Sequence, residues 1–509
     1  MLITKMRRKR LGMWLLILGF SIILSLAALS VFENRRGARQ LEAIVDRFKK
    51  DQVELSLQKV LSQEIPDQDN AAVALIELTE ELRSFSLPED VPPPPAMRMV
   101  GPGSAASFVR EAGWPGADGT TYGWEELRSA RHDAEQHLPG LIAISQRPRF
   151  LSPIDATKGL PDVELKALAP LPAVSRILRT LAISDLHYGI ADGERAVQCV
   201  TTLLNLFATK SEDPFTIAEM VRASHSRTAF TLTWEVLQHA DVEDETWASL
   251  QTAWEKADFL KAQDRIWQAE LTGMVDLFQR LKASRSYRRH ILDNCVKIEN
   301  DLGVPWAAPT RGFWLYQVHA PLWRVLWADQ DFAESLRTHE IELRLAQSAQ
   351  SNSWDLVRTK AKELGSTTEH ALTSFYIEPN VEELSLYDRW RFLFSNTPSA
   401  FHGSHILRAF QAETEARLAL TAIALHRHQI ATGAYPPLLA DLVPRFLPRV
   451  PVDPMDGNPL KYRHEAADRF LLYSVGTNGK DDDASNSTGN KTRTIWDGED
   501  AIWPQRATP

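Results

Sequence analysis

The chain has 509 residues, with 44% hydrophobic and 24% charged side chains and a formal net charge of −9. Because single hydrophobic cores stop growing at about 250–300 residues, this length argues against one compact domain. The composition is that of a folded protein, two cysteines exclude a disulfide-stapled scaffold, and the negative charge argues against a general nucleic-acid binder.

The N-terminus combines a basic cluster with a long uncharged apolar run. Residues 1–10 carry five basic side chains, so the rest of the chain sums to −14. Residues 11–32 form a run of 22 without a charge, and about 20 helical residues cross the hydrocarbon of a bilayer. We therefore expect a cytoplasmic basic stub at 1–10 and a single transmembrane helix at 11–32.

The flanking charges predict the orientation of this helix. Arg35, Arg36 and Arg39 follow the apolar run, and five basic residues against three favour a cytoplasmic N-terminus. The bulk of the chain is then expected outside the cytoplasmic (inner) membrane, in the periplasm of a cell with two membranes. A cleavable signal peptide is the alternative, since Ala28-Leu29-Ser30 fits the cleavage pattern, but secretory apolar cores usually run only about 7–15 residues.

Residues 33–403 are predicted to be an extracytoplasmic helical region. Apolar residues recur at helical spacing in segments such as 38–64 and 216–239. Helices joined by short turns are typical of an antiparallel α-bundle or an irregular helical-repeat array. The run Pro92 to Pro95 and the glycines after it break the pattern, so we expect 88–123 to be a surface segment or linker that can contain short strands.

Tryptophans are frequent in this region. Of the 15 in the chain, Trp306, Trp314, Trp323 and Trp327 crowd a short interval that also contains prolines. Amphipathic aromatic side chains favour interfaces, which would make this cluster a platform for a carbohydrate or peptide partner. Large aromatics also fill gaps between irregular helices, and both interpretations stay open here.

Residues 404–509 are predicted to be a small α+β domain. Ser404–Thr432 reads as one long helix that Ser404 can cap and Gly433 can end, and Phe470 to Ser474 is a strand candidate of a short antiparallel sheet. Four short motifs follow the helix in order: Gly433 with Tyr435-Pro436, Pro451 with Asp453-Pro454, Gly457-Asn458-Pro459, and Tyr473-Ser474 with Gly476 and Gly479.

This order of motifs resembles the C-terminal half of the major pseudopilin of type II secretion systems, which has a long helix, a G-x-Y-P turn, a P-x-D-P-W-G-N-P segment and a Y-S-x-G-x-D-G loop. The whole arrangement also resembles uncharacterised exported membrane proteins of planctomycete- and verrucomicrobium-like bacteria. In pseudopilins the transmembrane helix continues into this domain and carries a glutamate. Here about 370 residues intervene and the apolar run has no carboxylate, so assembly into a fibre does not follow.

Six carboxylates lie within the 20 residues 481–500. Calcium takes six to eight oxygen ligands from such flexible acidic loops. The resemblance implies a calcium site in this loop, with Asp481, Asp482 and Asp500 as the metal ligands by position. Thr477-Asn478 and the long insertion at 485–494 depart from the family pattern, and a solvated acidic loop is the alternative.

Other candidate sites are weaker. His402 and His405 have the spacing of a zinc-binding pair, but a helix-capping role is favoured because no accompanying glutamate motif is present. Cys199 and Cys295 would pair only in an oxidising compartment, and each lies in a predicted helix. No nucleophile elbow, phosphate loop or dinucleotide fingerprint is present, and no cofactor or catalytic residue is predicted.

Two classes of function follow. The first is a membrane-anchored extracytoplasmic scaffold or adaptor that binds envelope or secretion proteins and not nucleic acid. The second is an exported hydrolase, which requires a deep pocket with paired carboxylates of shifted pKa near the aromatic cluster. A minor secretion-system component is a third hypothesis, and the missing glutamate in the apolar run argues against it.

Overall fold

The structure is a computed structural model that describes residues 2–61, 64–85, 87, 91–116, 119–207, 212–302, 308, 310–364, 385–395, 404–484 and 493–507. Helices make up most of the described chain, and small sheets are formed by strands within 98–123 and 461–507, so the expected mainly α fold class is confirmed.

The helices of the first half are α1 (Leu2–Lys50), α2 (Leu57–Val60), α3 (Ala71–Glu77), α4 (Thr79–Ser84), α5 (Arg128–Ser145), α6 (Leu171–Tyr188), α7 (Glu194–Phe207), α8 (Thr216–His239) and α9 (Asp244–Glu255). The helices of the second half are α10 (Gln263–Ala283), α11 (Arg285–Leu302), α12 (Gly312–Trp314), α13 (Ala320–Leu326), α14 (Ala328–Ala349), α15 (Trp354–Glu363), α16 (Leu386–Arg391) and α17 (Ser404–Thr432). The strands are β1 (Arg98–Gly101), β2 (Ser104–Ala106), β3 (Gly113–Pro115), β4 (Thr121–Gly123), β5 (Lys461–Ala466), β6 (Arg469–Ser474), β7 (Ala501–Ile502) and β8 (Gln505–Ala507).

One continuous helix, α1, contains both the basic stub and the predicted apolar run. Across the residues that the structure describes, no helix has an apolar stretch long enough to cross a membrane. The predicted transmembrane segment 11–32 falls partly outside this description, since the side chains at 11–13, 15, 16, 19, 22 and 23 are not described.

The second half of α1 packs along α14. Glu33, Gly37, Ile44 and Phe48 are buried at helical spacing, and the side-chain amide of Gln330 donates to the Glu33 carboxylate at 2.6 Å. A Cβ atom at Gly37 would lie 3.0 Å from three atoms of the facing helix, so glycine permits the close approach of the two backbones. These contacts fix the base of α1 to the helical body.

The first helix ends before the end of the predicted helical segment 38–64. It ends at Lys50, because Gln52 adopts a left-handed backbone with φ 58° and the Val53 amide turns back to the Phe48 carbonyl at 2.8 Å. Ser56 then caps the short α2.

Strands β1 to β4 occupy the segment 88–123 that was expected to be a surface segment or linker. β1 pairs antiparallel with β2, and β2 pairs parallel with β8 at the far end of the chain. Trp114 is fully buried, and its indole N–H donates to the Pro92 carbonyl at 3.1 Å. Proline lacks an amide donor but keeps its acceptor, so the Pro-rich stretch is held against the body and the surface interpretation is corrected.

Helix α17 has the bounds that the sequence predicts, and Gly433 follows it with φ 85°. Its apolar side chains are buried on several sides, and it packs against α8 and α9. The expected short antiparallel sheet is formed by β5, β6 and β7, with Tyr473 opposite Ile502. The Trp234 indole donates to the Pro504 carbonyl at 2.8 Å, so the C-terminal segment and the helical body share one core.

Replacing Gly37 by alanine should destabilise the protein relative to the same change at Gly140. Alanine usually stabilises a helix interior over glycine by about 0.5–1 kcal/mol, and nothing lies within 4 Å of a Cβ at Gly140. At Gly37 the added atom crowds α14, which we expect to lower the free energy of unfolding by about 1–3 kcal/mol. Chemical denaturation of both variants measures the difference. Equal stabilisation by the two substitutions would show that α1 does not dock as described.

Candidate functional site

A large cleft lies where the C-terminal segment meets the helical body. Its volume is about 1180 Å³, and its walls come from α8, the end of α9, the loop before α10, the middle of α17 and residues 447–452. Trp254, Leu260 and Leu447 form buried apolar parts of its wall. Small-molecule pockets usually measure about 300–1,000 Å³, so this cleft has room for a large ligand or a peptide segment.

The acidic side chains of the cleft are already hydrogen-bonded within the protein. Each of the four that line it among the described residues accepts from at least one donor. The pairs are Glu212 with Arg149 (2.6 Å), Glu255 with Gln251 (2.9 Å), Asp258 with the amides of Leu260 and Lys261 (3.2 and 2.9 Å), and Glu413 with Arg417 (2.8 Å).

Only some of the basic side chains of the cleft have ionic partners within the protein. Arg222 forms an ion pair with the buried Glu219 at 3.0 Å, and Arg417 binds Glu413. Four further basic side chains line the cleft without an ion pair to any residue that the structure describes: Lys256, Lys261, Arg265 and Arg449. Glu255 and Asp258 have only neutral donors, so four cations and two anions of the cleft lack ion pairs among the described residues, and their formal sum is 4 − 2 = +2.

Arg265 is the most constrained of these four cations. Its Nε atom is buried and has no hydrogen-bond partner in the described part of the chain. Burial lowers the pKa of its guanidinium, although the charges of Glu212 and Asp213 oppose this effect. A buried donor without an acceptor is costly, and an anionic ligand in the cleft would supply one.

The sequence offered only a partial signal for this site. Lys256, Lys261 and Arg265 recur within ten residues, which could have been noticed as a short basic segment. Arg449 and the α17 wall are distant in the chain, so no local pattern places them opposite that segment.

The three aspartates predicted to bind calcium lie close together. Asp500 is buried and accepts from the Ala484 amide at 2.8 Å. Burial, together with repulsion from the carboxylates of Asp482 and Asp481, raises the pKa of Asp500 to about 6. The structure thus brings the three residues near one another, and their role as calcium ligands stays a prediction.

The other two aspartates also have protein donors. Asp481 accepts from the Tyr473 hydroxyl at 3.0 Å and pairs with Lys461 at 3.3 Å, and Asp482 accepts from the Asn478 amide at 2.7 Å. Within the described ranges, no group of three or more His, Cys, Asp or Glu residues is arranged to hold a metal ion. Residues 485–492 of the insertion lie outside the described residues.

A buried serine, glutamate and histidine meet beneath the β1–β2–β8 sheet. The Ser107 hydroxyl lies 2.6 Å from Glu235 Oε2 and 2.8 Å from His239 Nε2, and Glu235 Oε1 accepts from the Met97 amide. In a catalytic triad the carboxylate binds the opposite imidazole nitrogen, whereas here it lies 3.7 Å from the same Nε2. The cluster is therefore a buried polar network that ties the strands to α8.

The aromatic cluster divides into buried and exposed parts. Trp323 is buried and donates to the Asp331 carboxylate at 2.7 Å, and burial raises the pKa of Asp331 to about 6. Trp314 is exposed, Trp327 is partly buried, and Trp306 lies outside the described residues. Trp323 thus fills the core, and the interpretation of the exposed Trp314 as part of a partner platform stays a prediction.

The remaining candidate residues have structural partners. His405 is buried and accepts from the Trp267 indole at 2.6 Å, which places it in the core and not at the helix cap, while His402 lies outside the described residues. Cys199 and Cys295 are both buried and are not joined by a disulfide bond.

The fold and the cleft define a mainly helical protein with a charged cleft and with exposed apolar side chains among the described residues 14–32 of α1. Comparisons of this chain with models of protein families, with curated proteins and with solved structures found no match. Arguments about its function therefore rest on the geometry above.

Replacing Glu235 by glutamine should change the pH dependence of stability. Burial raises the pKa of Glu235 from 4.5 to about 7, so its contribution to folding is present below pH 4.5 and is lost as the pH rises through 7. Burial lowers the pKa of His239 to about 4, which keeps the imidazole neutral over this range. Between pH 4.5 and 8 the free energy of unfolding of the wild type should fall by about 1–3 kcal/mol relative to that of the variant, as measured by denaturant titrations.

The matched control is Glu245→Gln, which removes an exposed carboxylate from the neighbouring α9. Its pH profile should run parallel to that of the wild type. A parallel profile for the Glu235→Gln protein as well would contradict the assignment.

Proposed function

We propose that this chain is a membrane-anchored extracytoplasmic scaffold or adaptor whose cleft receives an acidic segment of a partner protein of the envelope or a secretion system. The observation that carries the proposal is the imbalance in the cleft, where the acidic side chains have donors and four cations lack ion pairs with described residues. A ligand that brings several carboxylates would satisfy those cations.

A protein segment suits this cleft better than a nucleic acid does. The chain carries a net charge of −9, which repels an extended polyanion over most of its surface. A local basic site inside an acidic protein favours a ligand whose negative charge is confined to one short stretch. The length and the buried apolar wall of the cleft fit a peptide with both acidic and apolar side chains.

The first helix supports the membrane anchor in this proposal. Among residues 14–32 of α1, the described large apolar side chains are exposed, including Phe20, Leu24 and Leu26. Exposed apolar surface is unfavourable in water by roughly 25 cal/mol per Å², and a lipid bilayer removes that cost. With five basic residues before the run, we place the N-terminus in the cytoplasm and the body in the periplasm.

The C-terminal segment adds a calcium-stiffened unit to the proposal. A divalent cation between Asp481, Asp482 and Asp500 would remove the repulsion that contributes to the raised pKa of Asp500. The pseudopilin resemblance of residues 404–509 supports the same assignment. Calcium would then hold the acidic loop against β6 and stabilise the wall of the adaptor that α17 forms.

Replacing Arg265 by methionine should weaken binding of an acidic peptide without destabilising the protein. Methionine keeps the apolar stem and removes the donors, and the loss of one charge-assisted hydrogen bond of about 1.4 kcal/mol raises Kd about tenfold. Since burial disfavours the charge of Arg265, we expect the free energy of unfolding to fall by no more than about 0.5 kcal/mol. Fluorescence anisotropy with a labelled deca-glutamate peptide at low salt measures the binding.

Two controls accompany this measurement. A deca-glutamine peptide should not bind, and Lys166→Met, which removes an exposed cation outside the cleft, should leave Kd unchanged. Equal affinity of wild type and Arg265→Met for deca-glutamate would overturn the role of the cleft. A large loss of stability in the variant would instead assign Arg265 to the fold.

Calcium should stabilise the full-length protein through the aspartate loop. At a calcium concentration of 100 times Kd, mass action predicts a gain of about 2.7 kcal/mol, and Asp500→Asn should abolish it. Because the ion requires the ionised carboxylate and the pKa of Asp500 is raised to about 6, the affinity should fall as the pH drops below 6. Titration calorimetry and thermal unfolding measure both effects.

Asp468→Asn is the control for this experiment, since Asp468 is exposed in the turn between β5 and β6. It should leave calcium binding intact. Absence of both a heat change and a melting shift in the wild type would end the calcium assignment.

A further inference from the structure

An exposed apolar surface surrounds the point where α1 leaves the body. We call it the exit patch. It consists of six large apolar side chains that are at least two-fifths exposed: Phe313, Trp314, Leu322, Val325, Leu386 and Tyr387. Phe313, Trp314 and Leu386 are 69%, 62% and 71% exposed, so they are displayed to the surroundings and do not fill gaps between helices.

The position of the exit patch follows from its contacts with the base of α1. The Asn34 amide donates to the Val325 carbonyl at 3.2 Å, and the Tyr387 hydroxyl binds the Glu33 carboxylate. The apolar run of α1 ends at Phe32, one or two residues earlier. At about 1.5 Å of rise per residue, Val325 and Tyr387 of the exit patch are level with the end of that run. Phe313 and Trp314 precede Val325 by 12 and 11 residues, on the helical segments that lead into α13.

The composition of the exit patch distinguishes it from an ordinary protein surface. Residues 302–328 contain no aspartate or glutamate, and their charged side chains are Arg311 and Arg324. Arg35, Arg36 and Arg39 lie on the adjoining turns of α1. Arg311 pairs with Glu299 at 2.9 Å and Arg36 lies 4.0 Å from Glu33, so some of these arginines have acidic partners. Exposed tryptophan and other apolar side chains beside several arginines are nevertheless the set that favours the interface of a bilayer with anionic headgroups.

We propose that the exit patch inserts into the headgroup region of the same bilayer that α1 spans. This inference rests on the proposed function, because it requires α1 to be in the membrane. The apolar surface of the patch adjoins the apolar surface of α1, so one lipid surface covers both without a second binding partner. The body is then held against the membrane through two attachments, and it does not swing on a single helix.

The experiment uses the full chain in vesicles of phosphatidylcholine and phosphatidylglycerol, with an environment-sensitive NBD fluorophore on single introduced cysteines. Both native cysteines are buried, so the introduced thiols react first. The labelled variants are Trp314→Cys in the exit patch, Leu24→Cys in α1, and Leu438→Cys as a control at a 63% exposed position outside both. A lipid that carries a nitroxide near the headgroup quenches NBD by contact.

At position 314 we expect the NBD emission to shift to the blue in vesicles and to be quenched by the headgroup nitroxide. At position 438 we expect the NBD emission to be unchanged by both. Phe313→Cys provides a second patch position if the Trp314 variant does not fold. Suppose that NBD at position 314 is quenched no more than NBD at position 438, while a nitroxide deep in the bilayer quenches NBD at position 24. This result would overturn the inference and leave the membrane anchor in place. Lack of quenching at 24 would overturn the anchor itself. A change at 314 that depends on protein density and not on nitroxide would show that a second copy of the chain covers the patch, which also overturns the inference.

Discussion

The structure depends on the burial of α17 between the helical body and the C-terminal sheet. A helix with apolar residues on several sides is stable in water only when neighbours cover each side, and α8 and α9 cover part of it. It also brings the polar side chains of His405, Glu413 and Glu415 into the core. Each of them has a partner elsewhere in the chain, from Trp267, Phe259 and Arg227 respectively. This pairing fixes the rotation of α17 as well as its position.

The cleft is a consequence of the same arrangement. Arg417 on α17 binds Glu413, the Val452 carbonyl and Asn352, and so holds the 447–452 loop against α17. On the facing wall, Arg265 and the nearby lysines have no ion pairs with described residues. A cation that is buried without an anionic partner lowers the stability of the fold. Binding sites commonly keep charges without ion pairs in a preformed space. Such charges lower the stability of the fold and are available to a ligand. The charged cleft and the burial of α17 thus both follow from the way α17 packs against the rest of the chain.

The predictions from sequence succeeded where a local pattern dictates local structure. The period of apolar residues and the terminal signals expected at Ser404 and Gly433 defined the bounds of α17, and the period of apolar residues also defined α8. The three aspartates were also brought together, because they lie within 20 residues and one loop can join them. For segment 88–123 the short strands are present but the surface interpretation was wrong, since proline and glycine content reports the absence of helix and says nothing about burial. Trp114 is in the core because β3 pairs with β4 inside the segment and Trp124, just beyond it, packs against the Trp114 ring.

By itself, the sequence determined the helical class, the bounds of α8 and α17, the short C-terminal sheet and the apolar character of residues 11–32, since these depend on propensity, capping and hydrophobic period over short distances. Only the tertiary structure decided which charges remain without ion pairs in the cleft, that the chain's last strand pairs with β2, and that exposed aromatic residues surround the base of α1. These features depend on contacts between residues hundreds of positions apart. Such contacts are decided by packing of whole surfaces, which no local pattern encodes.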